Sequence, residues 1–432
     1  MILPVFSLYA NELEGVTPTL LGIAIGVYGL TQALLQIPFG RLSDRIGRKP
    51  VIAGGLVLFA IGSVVAALAT SIEGVIIGRA LQGSGAIASA IMALTADLTS
   101  EEHRTKAMAM IGMSIGASFA LSMILGPIVH SLVGGAGIFW LTAVLASLAL
   151  LILFWRVPTP VHSHVHSDAE VVTGHLKQVL SNTQLLRLDA GILVLHLVLT
   201  ASFVVMPLML RDIAGLRVEQ HAMVYFPVFL ASAIIMVPFI IIAEKYRRMK
   251  QVFLFSIGML IVAEFGLSEW AGSLWLIIAW LVLFFASFNI LEASLPSMIA
   301  KLAPADKKGT AMGVYSSSQF VGAFLGGVSG GWVYGHFGQT AVFAMAAGIV
   351  GLWWLWAVSM APLPYLSSRM LHVGEVNTET AQRISGRLLG LAGVAEVTVV
   401  PDEQVAFLKV DSRQLDEVQM NSTLTELGLN QA

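Results

Sequence analysis

The residues able to do chemistry are few, and they sit in unusual places. Glu292 lies inside the apolar run "FNILEASLPS", with Asn289 three residues earlier on the same helical face. His196 lies inside "ILVLHLVLT", and Arg79 inside "IGRALQG". A charged side chain within a membrane-length apolar run costs roughly 3 kcal/mol or more, so it faces an interior cavity. There a carboxyl or an imidazole can carry a proton. Glu292 is the first candidate carrier and His196 the second, with Arg79 tuning a neighbour. The competing reading of all three is a satisfied hydrogen bond between helices.

A second group is the turn "GRLSDRIGRKP", Gly40 to Pro50, which packs five charged side chains between two apolar runs. Gly40 and Gly47 have no side chain, so a neighbouring helix can approach closely. Asp44 and Arg48 are one helical turn apart, and Asp97 ends a later apolar run. Basic residues alone would anchor an orientation, but orientation needs neither the Asp nor the glycines.

These groups must be positioned by membrane-spanning helices. The chain has 432 residues, is 56% hydrophobic and 12% charged, and has a mean hydropathy of +0.83. Soluble domains carry about 25% charged residues, so this is an all-α polytopic membrane protein. Apolar stretches of spanning length fall at about 19–42, 50–70, 74–97, 105–129, 136–156, 188–210, 221–243, 251–268, 274–299, 310–334 and 340–361. "MILPVFSLYA" before them reads as the second half of a helix whose first half lies upstream. Alternate connections carry sixteen Lys and Arg, whereas those on the opposite side carry only Arg211 and Arg217. The basic side is therefore cytoplasmic. No cysteine is present, so there is neither a disulfide nor a thiolate metal site.

The connection from Pro158 to Asn182 divides the helices into six and six. "AEKYRRMKQV" occupies the place in the second half that "GRLSDRIGRKPV" holds in the first, which suggests an internal repeat. The expected units are an N-terminal bundle (1–157), a central cytoplasmic segment (158–186), a C-terminal bundle (187–362) and a tail domain (367–432). The tail reads β-α-β-β-α, a small α+β ferredoxin-like order. Its first strand is "RMLHV", its first helix is capped by Asn377, and "VAEVTVVP" and "VAFLKVDS" form a strand pair.

Two sets of six helices with "GRLSDRIGRK" after the second resemble the major facilitator superfamily. Its loop pattern G-x-L-[SA]-D-R-x-G-R-[KR] is met by Gly40, Leu42, Ser43, Asp44, Arg45, Gly47, Arg48 and Lys49. "RALQGSGA", Arg79 to Ala86, is similar to the fourth-helix motif R-x-x-Q-G-x-G-A of that family. "GASFALSMILGP" is similar to its fifth-helix motif of proton-driven antiporters, with Gly116, Gly126 and Pro127, although "IVHS" replaces the glycines that usually follow. The resemblance covers residues 1–362. It implies two pseudo-symmetric six-helix bundles, the first helix here truncated, that rock about a central cavity. It also implies a cytoplasmic latch in which Asp44, Arg48 and Asp97 meet the start of the eleventh helix near Lys307, holding the protein outward-open. An Asp at a helix N-terminus is favoured by about 0.3–2 kcal/mol.

Polar residues at helical spacing could line the cavity: Tyr28, Gln32 and Gln36 on the second helix, Asn289 on the tenth, and Tyr315 and Gln319 on the eleventh. Apolar lining is expected from Met206, Phe226 and Phe288. Such a lining suits a small hydrophobic or amphiphilic compound. The expected function is proton-coupled efflux of such a compound. Proton-coupled nutrient uptake and a transporter-like sensor signalling through the tail domain are the alternatives. The expected partners are protons, a small-molecule substrate and the lipid bilayer, with self-association or a small ligand open for the tail. No cofactor, resident metal or nucleic acid is expected. His162, His164 and His166 in "VHSHVHS" could hold a divalent cation, but they read better as a solvated linker. There is no nucleotide loop, nucleophile elbow or zinc signature, so an enzyme is not expected.

Overall fold

The computed structural model describes residues 2–99, 101–160, 171–304, 307–362, 365–374, 376–401, 404–411, 413–427 and 429. His162, His164 and His166 lie outside them. Among the described residues, nine helices are long and apolar enough to cross a membrane.

The first half holds α1 (Phe6–Tyr9), α2 (Pro18–Ile46), α3 (Arg48–Leu68), α4 (Ile72–Ser84), α5 (Ala88–Asp97) and α6 (Glu101–Trp155). Thr17 caps α2 ahead of Pro18 at its first position, and Ser71 caps α4. The single fourth helix expected over 74–97 is two helices, broken at Gly85. The two helices expected over 105–129 and 136–156 are both present within α6, which is not one straight helix. Its apolar part, Lys106–Trp155, has 50 residues. At 1.5 Å per residue that is about 75 Å, more than twice a bilayer core. Gly134 breaks it, with φ at 73°, a left-handed conformation that glycine adopts without strain.

The second half holds α7 (Leu176–Ser181), α8 (Thr183–Asp212), α9 (Val218–Lys245), α10 (Met249–Glu269), α11 (Leu274–Leu302), α12 (Lys308–Phe337) and α13 (Gln339–Val358). Asn182 caps α8 through the amides of Gln184 and Leu185, and Ser273 caps α11. The core of this half is made by α8, whose residues from Val198 to Leu210 are all buried. α12 is the eleventh spanning stretch. Its glycines Gly322, Gly326 and Gly330 press on the α8 backbone at Leu193, Leu197 and Ala201. Small residues of this kind let helix backbones meet in a membrane, where no hydrophobic force drives them together.

The tail folds as β1 (Ser367–His372), α14 (Thr378–Leu389), β2 (Val394–Val400), β3 (Val405–Val410) and α15 (Glu417–Glu426). The sheet order is β1-β3-β2 with both pairs antiparallel, a split β-α-β. Asn377 caps α14 through the Thr380 amide, 2.8 Å away. Ile384, Leu388 and Leu391, recurring at helical spacing, pack with Leu408, Met420 and Leu424 beneath the sheet.

The tail does not hang free. Lys409 on β3, 3% exposed, donates to the carbonyl oxygens of Lys301 (2.8 Å) and Ala303 at the end of α11. Arg247, between α9 and α10, forms a two-point ion pair with Asp411 at 2.5 and 3.1 Å. Arg413 donates to the Lys245 carbonyl at 3.0 Å. The second-half counterpart of the charged turn is thus the tail's docking platform.

Candidate functional site

The cytoplasmic charge cluster is built at a helix junction. α2 ends because Gly47 turns the chain with φ at 96°, and Arg48 opens α3 at once. That placement buries Arg48 to 3% exposure. Its Nε donates to Asp97 Oδ2 at 3.1 Å, and one terminal nitrogen reaches Ser43 Oγ at 3.0 Å and the Asp44 carboxylate. A Cβ at Gly40 would stand 3.0 Å from Ser89 Oγ, so α2 and α5 touch there. Lys49 donates to the Val157 carbonyl at 2.6 Å, tying the turn to the end of α6.

All of these contacts lie within the first half. The bond Asp44 makes is to Arg48, and the start of α12 is met by the central segment instead. Thr310 exchanges hydrogen bonds with the Val172 backbone, and Val171 lies against Gly313. Among the described residues the latch expected between Asp44 and the start of the eleventh helix is not closed.

The reason lies at the opposite side. There α2 and α12 meet backbone to backbone: a Cβ at Gly22 would stand 2.0 Å from the Gly327 oxygen, and one at Gly26 2.8 Å from that of Phe324. The outer seam is thus closed, while on the basic side Asp44 stays with Arg48 and away from the start of α12. Met110, Met113 and Ile115 on the cytoplasmic half of α6 are exposed. The conformation is inward-facing.

Deep in the second half three polar side chains meet. His196 Nδ1 lies 3.9 Å from Glu292 Oε2. The Gln319 amide reaches His196 Nε2 at 2.7 Å and Glu292 Oε1 at 3.4 Å. With the amide nitrogen donating to Nε2, a neutral ring carries its hydrogen on Nδ1, the nitrogen facing Glu292. The Glu292 side chain keeps 37% exposure, yet its Oε2 is buried with no hydrogen-bond partner among the described residues, so the carboxylate is set back from water. Rings from both halves gather beside it: His196 lies 5.7 Å from Phe288, which stacks on Phe119 of α6 at 6.5 Å. This group joins α8, α11 and α12 to the first half and can hold a proton next to an aromatic, apolar surface.

Arg79 is elsewhere. It sits on α4 with its donors on the α2 carbonyls of Ala24 (3.3 Å) and Ile25 (3.2 Å) and on Gln82 Oε1 (3.0 Å), and its guanidinium lies 4.9 Å from the Tyr28 ring centre. Gln82 in turn reaches Ser63 on α3 at 2.8 Å. A Cβ at Gly83 would collide with Thr31 and Tyr28, and one at Gly85 with Gly55. "RALQGSGA" thus binds three helices together, and the structure does not bring Arg79 to Glu292.

Of the other expected cavity residues, Gln32 donates to the Tyr28 hydroxyl at 3.0 Å, and Gln36 is buried. Asn289 turns to Ser232 on α9 at 3.1 Å rather than to Glu292. Tyr315 is buried with its hydroxyl unpartnered among the described residues. Phe288 faces the site, and Met206 is fully buried in the core. Phe226 faces away, on the exposed stripe of α9 with Met223, Leu230 and Ile234. Gly126 and Pro127 are buried and Gly116 is exposed.

Two carboxylates escaped the sequence reading. Asp189 is buried near the start of α8, and Glu264 of α10 accepts from Ser202 at 2.9 Å. Each is one acid in a run whose hydropathy average hides it. The signal that finds them is any acid inside a span, whatever the average.

The profile of the Major Facilitator Superfamily matches residues 1–263 and 191–371. The inner membrane transport protein YajR of Escherichia coli K12 is 45% identical over 426 residues, 99% of this chain and 93% of its own length. Among solved structures, a bacterial homolog of the human lysosomal transporter Spinster, inward-facing and occupied, aligns with a TM-score of 0.67 at 14% identity, over 83% of this chain and 92% of its own. The human organic anion transporter MFSD10 aligns with a TM-score of 0.59 at 20% identity, over 82% and 88%. At those identities the structures speak for the fold alone. The profile and the full-length relative settle membership: the chain belongs to the major facilitator superfamily of membrane transporters.

Proposed function

We propose that the chain is a proton-coupled antiporter of the bacterial cytoplasmic membrane that exports small hydrophobic or amphiphilic compounds. The observation that carries this is the Glu292–His196–Gln319 group, a carboxylate and an imidazole 3.9 Å apart beside aromatic rings from both halves. Glu292 takes the proton and His196 shares it. Charging or neutralising this corner changes what the aromatic surface binds, which couples proton and substrate. One proton moving through 100 mV supplies about 2.3 kcal/mol. The Asp44–Arg48–Asp97 cluster serves as the cytoplasmic gate, closing on the start of α12 when the protein turns outward. The membrane assignment follows the inner-membrane relative.

The units proposed are the bundles 1–157 and 187–362, the central segment 158–186 and the domain 367–432. The contacts of Lys409 and Arg247 also give a regulatory reading of the tail a physical footing. The test uses everted membrane vesicles energised by respiration, a pH-sensitive dye inside, and a panel of cationic and neutral amphiphiles. Collapse of the pH gradient on adding a compound, lost in Glu292→Gln, supports antiport with the proton on Glu292. Collapse that survives Glu292→Gln removes that assignment. Silence to every amphiphile would count against amphiphile efflux.

A further inference from the structure

Asp189 is a buried carboxylate with nothing visible to justify it. Its residue exposure is 5%, and neither carboxylate oxygen has a hydrogen-bond partner among the described residues. A buried acid without a partner is costly, and in a spanning helix it marks a proton or ion path by default. It lies on α8 two turns before His196, so the two share one face of that helix.

The groups around it are few. On its own helix Arg187 turns to the Ser359 carbonyl, 2.9 Å away. The segment before α8 carries His175, half-buried, and Lys177, exposed. From α13 and α11, Trp353 and Leu295 close on neighbouring Gly191. α12 supplies Tyr315, 4% exposed, whose hydroxyl is buried and unpartnered among the described residues.

The depths form a ladder. Counted from the cytoplasmic helix ends at 1.5 Å per residue, Asp189 is about 9 Å in, Tyr315 about 10 Å, Glu292 about 15 Å, Gln319 about 16 Å and His196 about 20 Å. The helices carrying these groups pack together, α8 on α12 and α11.

We propose that Asp189 and the Tyr315 hydroxyl carry the proton between Glu292 and the cytoplasm. This rests on Glu292 being the coupling site. In the release step the Glu292 carboxyl gives its proton to the Tyr315 oxygen while that hydroxyl passes its own hydrogen to the Asp189 carboxylate. Glu292 is left ionised, tyrosine is unchanged and Asp189 is protonated until it loses the proton to cytoplasmic water. Among the described residues no direct hydrogen bond links the three, so each hop needs bridging water or a turn of the tyrosine side chain. The path lets the site discharge inward without a continuous water column to Glu292.

The test needs no transported compound. The purified full-length chain in a lipid film is given a rapid pH drop, and the protonated-carboxyl infrared band lost in Glu292→Gln is followed in time. In Asp189→Asn that band should reach its full final height but rise about a hundredfold more slowly, the low end of what a positioned proton-transfer group contributes. Tyr315→Phe should slow it similarly, and Asp189→Glu should restore the rate. An unchanged rate in Asp189→Asn and Tyr315→Phe overturns the relay and leaves Glu292 in place. Slowing that Asp189→Glu does not relieve assigns Asp189 a structural role and overturns it too. If Glu292→Gln removes no band, the coupling site itself is wrong and the relay falls with it.

Discussion

Gly22 of α2 and Gly327 of α12 meet so closely that a Cβ on Gly22 would stand 2.0 Å from the Gly327 carbonyl oxygen. No side chain fits without moving a backbone. Gly22→Ala should therefore open the outer seam and shift the population from inward- to outward-facing. The chain has no cysteine, so spin labels at Thr17→Cys and His336→Cys report this seam alone. The labelled distance should lengthen in Gly22→Ala. An unchanged distribution would mean that the seam does not hold the conformation.

Arg48 and the two carboxylates around it are unequal partners. Asp97 has 1% side-chain exposure and Asp44 28%. Removing the cation from a buried pair is severe, about 3–5 kcal/mol, whereas an exposed pair is worth about 0–1 kcal/mol. Arg48→Ala should lower thermal stability strongly. Asp44→Asn should leave stability nearly intact and act on gating instead. Equal melting temperatures for the two variants would refute this division of labour.

The sequence shows the spanning helices because each is one long apolar run, and it shows the charged turn because charge between such runs is conspicuous. The break at Gly85 is hidden, since hydropathy continues through a glycine as through any small residue, whereas the one at Gly134 falls in the gap expected between 129 and 136. The role of Arg79 is hidden for a different reason. A buried arginine reads alike whether its donors meet an acid or, as here, the carbonyls of Ala24 and Ile25. The expected latch to the eleventh helix belongs to an outward-facing arrangement, and a single sequence carries no label for the state the chain adopts. The pairing of His196 with Glu292 needed the fold, because α8 and α11 are far apart in the chain.

Gln319 is the hinge of the proposed proton site, since its amide touches both His196 and Glu292. Gln319→Leu keeps the bulk and removes both bonds. It should cut proton-coupled flux by about tenfold, the loss expected from about 1.4 kcal/mol of positioning. Gln319→Glu places a second acid there and should alter the pH profile of transport rather than only its rate. Vesicle assays across pH separate the two, and wild-type flux in both would remove Gln319 from the site.

The docked tail makes a pH prediction with a definite sign. The Arg247 guanidinium, then the Arg413 backbone N–H, hold the Asp411 carboxyl below the usual aspartate range. A carboxyl depressed in the docked state contributes at pH values above its free range, near about 3.9, and stops contributing as pH falls through its lowered value. Docking should therefore be insensitive to pH between about 5 and 8 and loosen only in stronger acid. The pair is partly exposed, at 27% and 16% of the two side chains, so salt should weaken it. Lys409 is different: buried against the last carbonyls of α11, it should resist salt and dominate. Lys409→Met keeps the apolar stem and loses the charge-assisted bonds, each worth about 1.5–3 kcal/mol. Energy transfer between dyes on α15 and on the outer end of α13 reads the separation. It should fall in Lys409→Met at neutral pH, and in Arg247→Ala chiefly at low salt, where the pair is strongest in the wild type. Release of the wild-type tail between about pH 5 and 7 would show that a histidine rather than Asp411 governs docking.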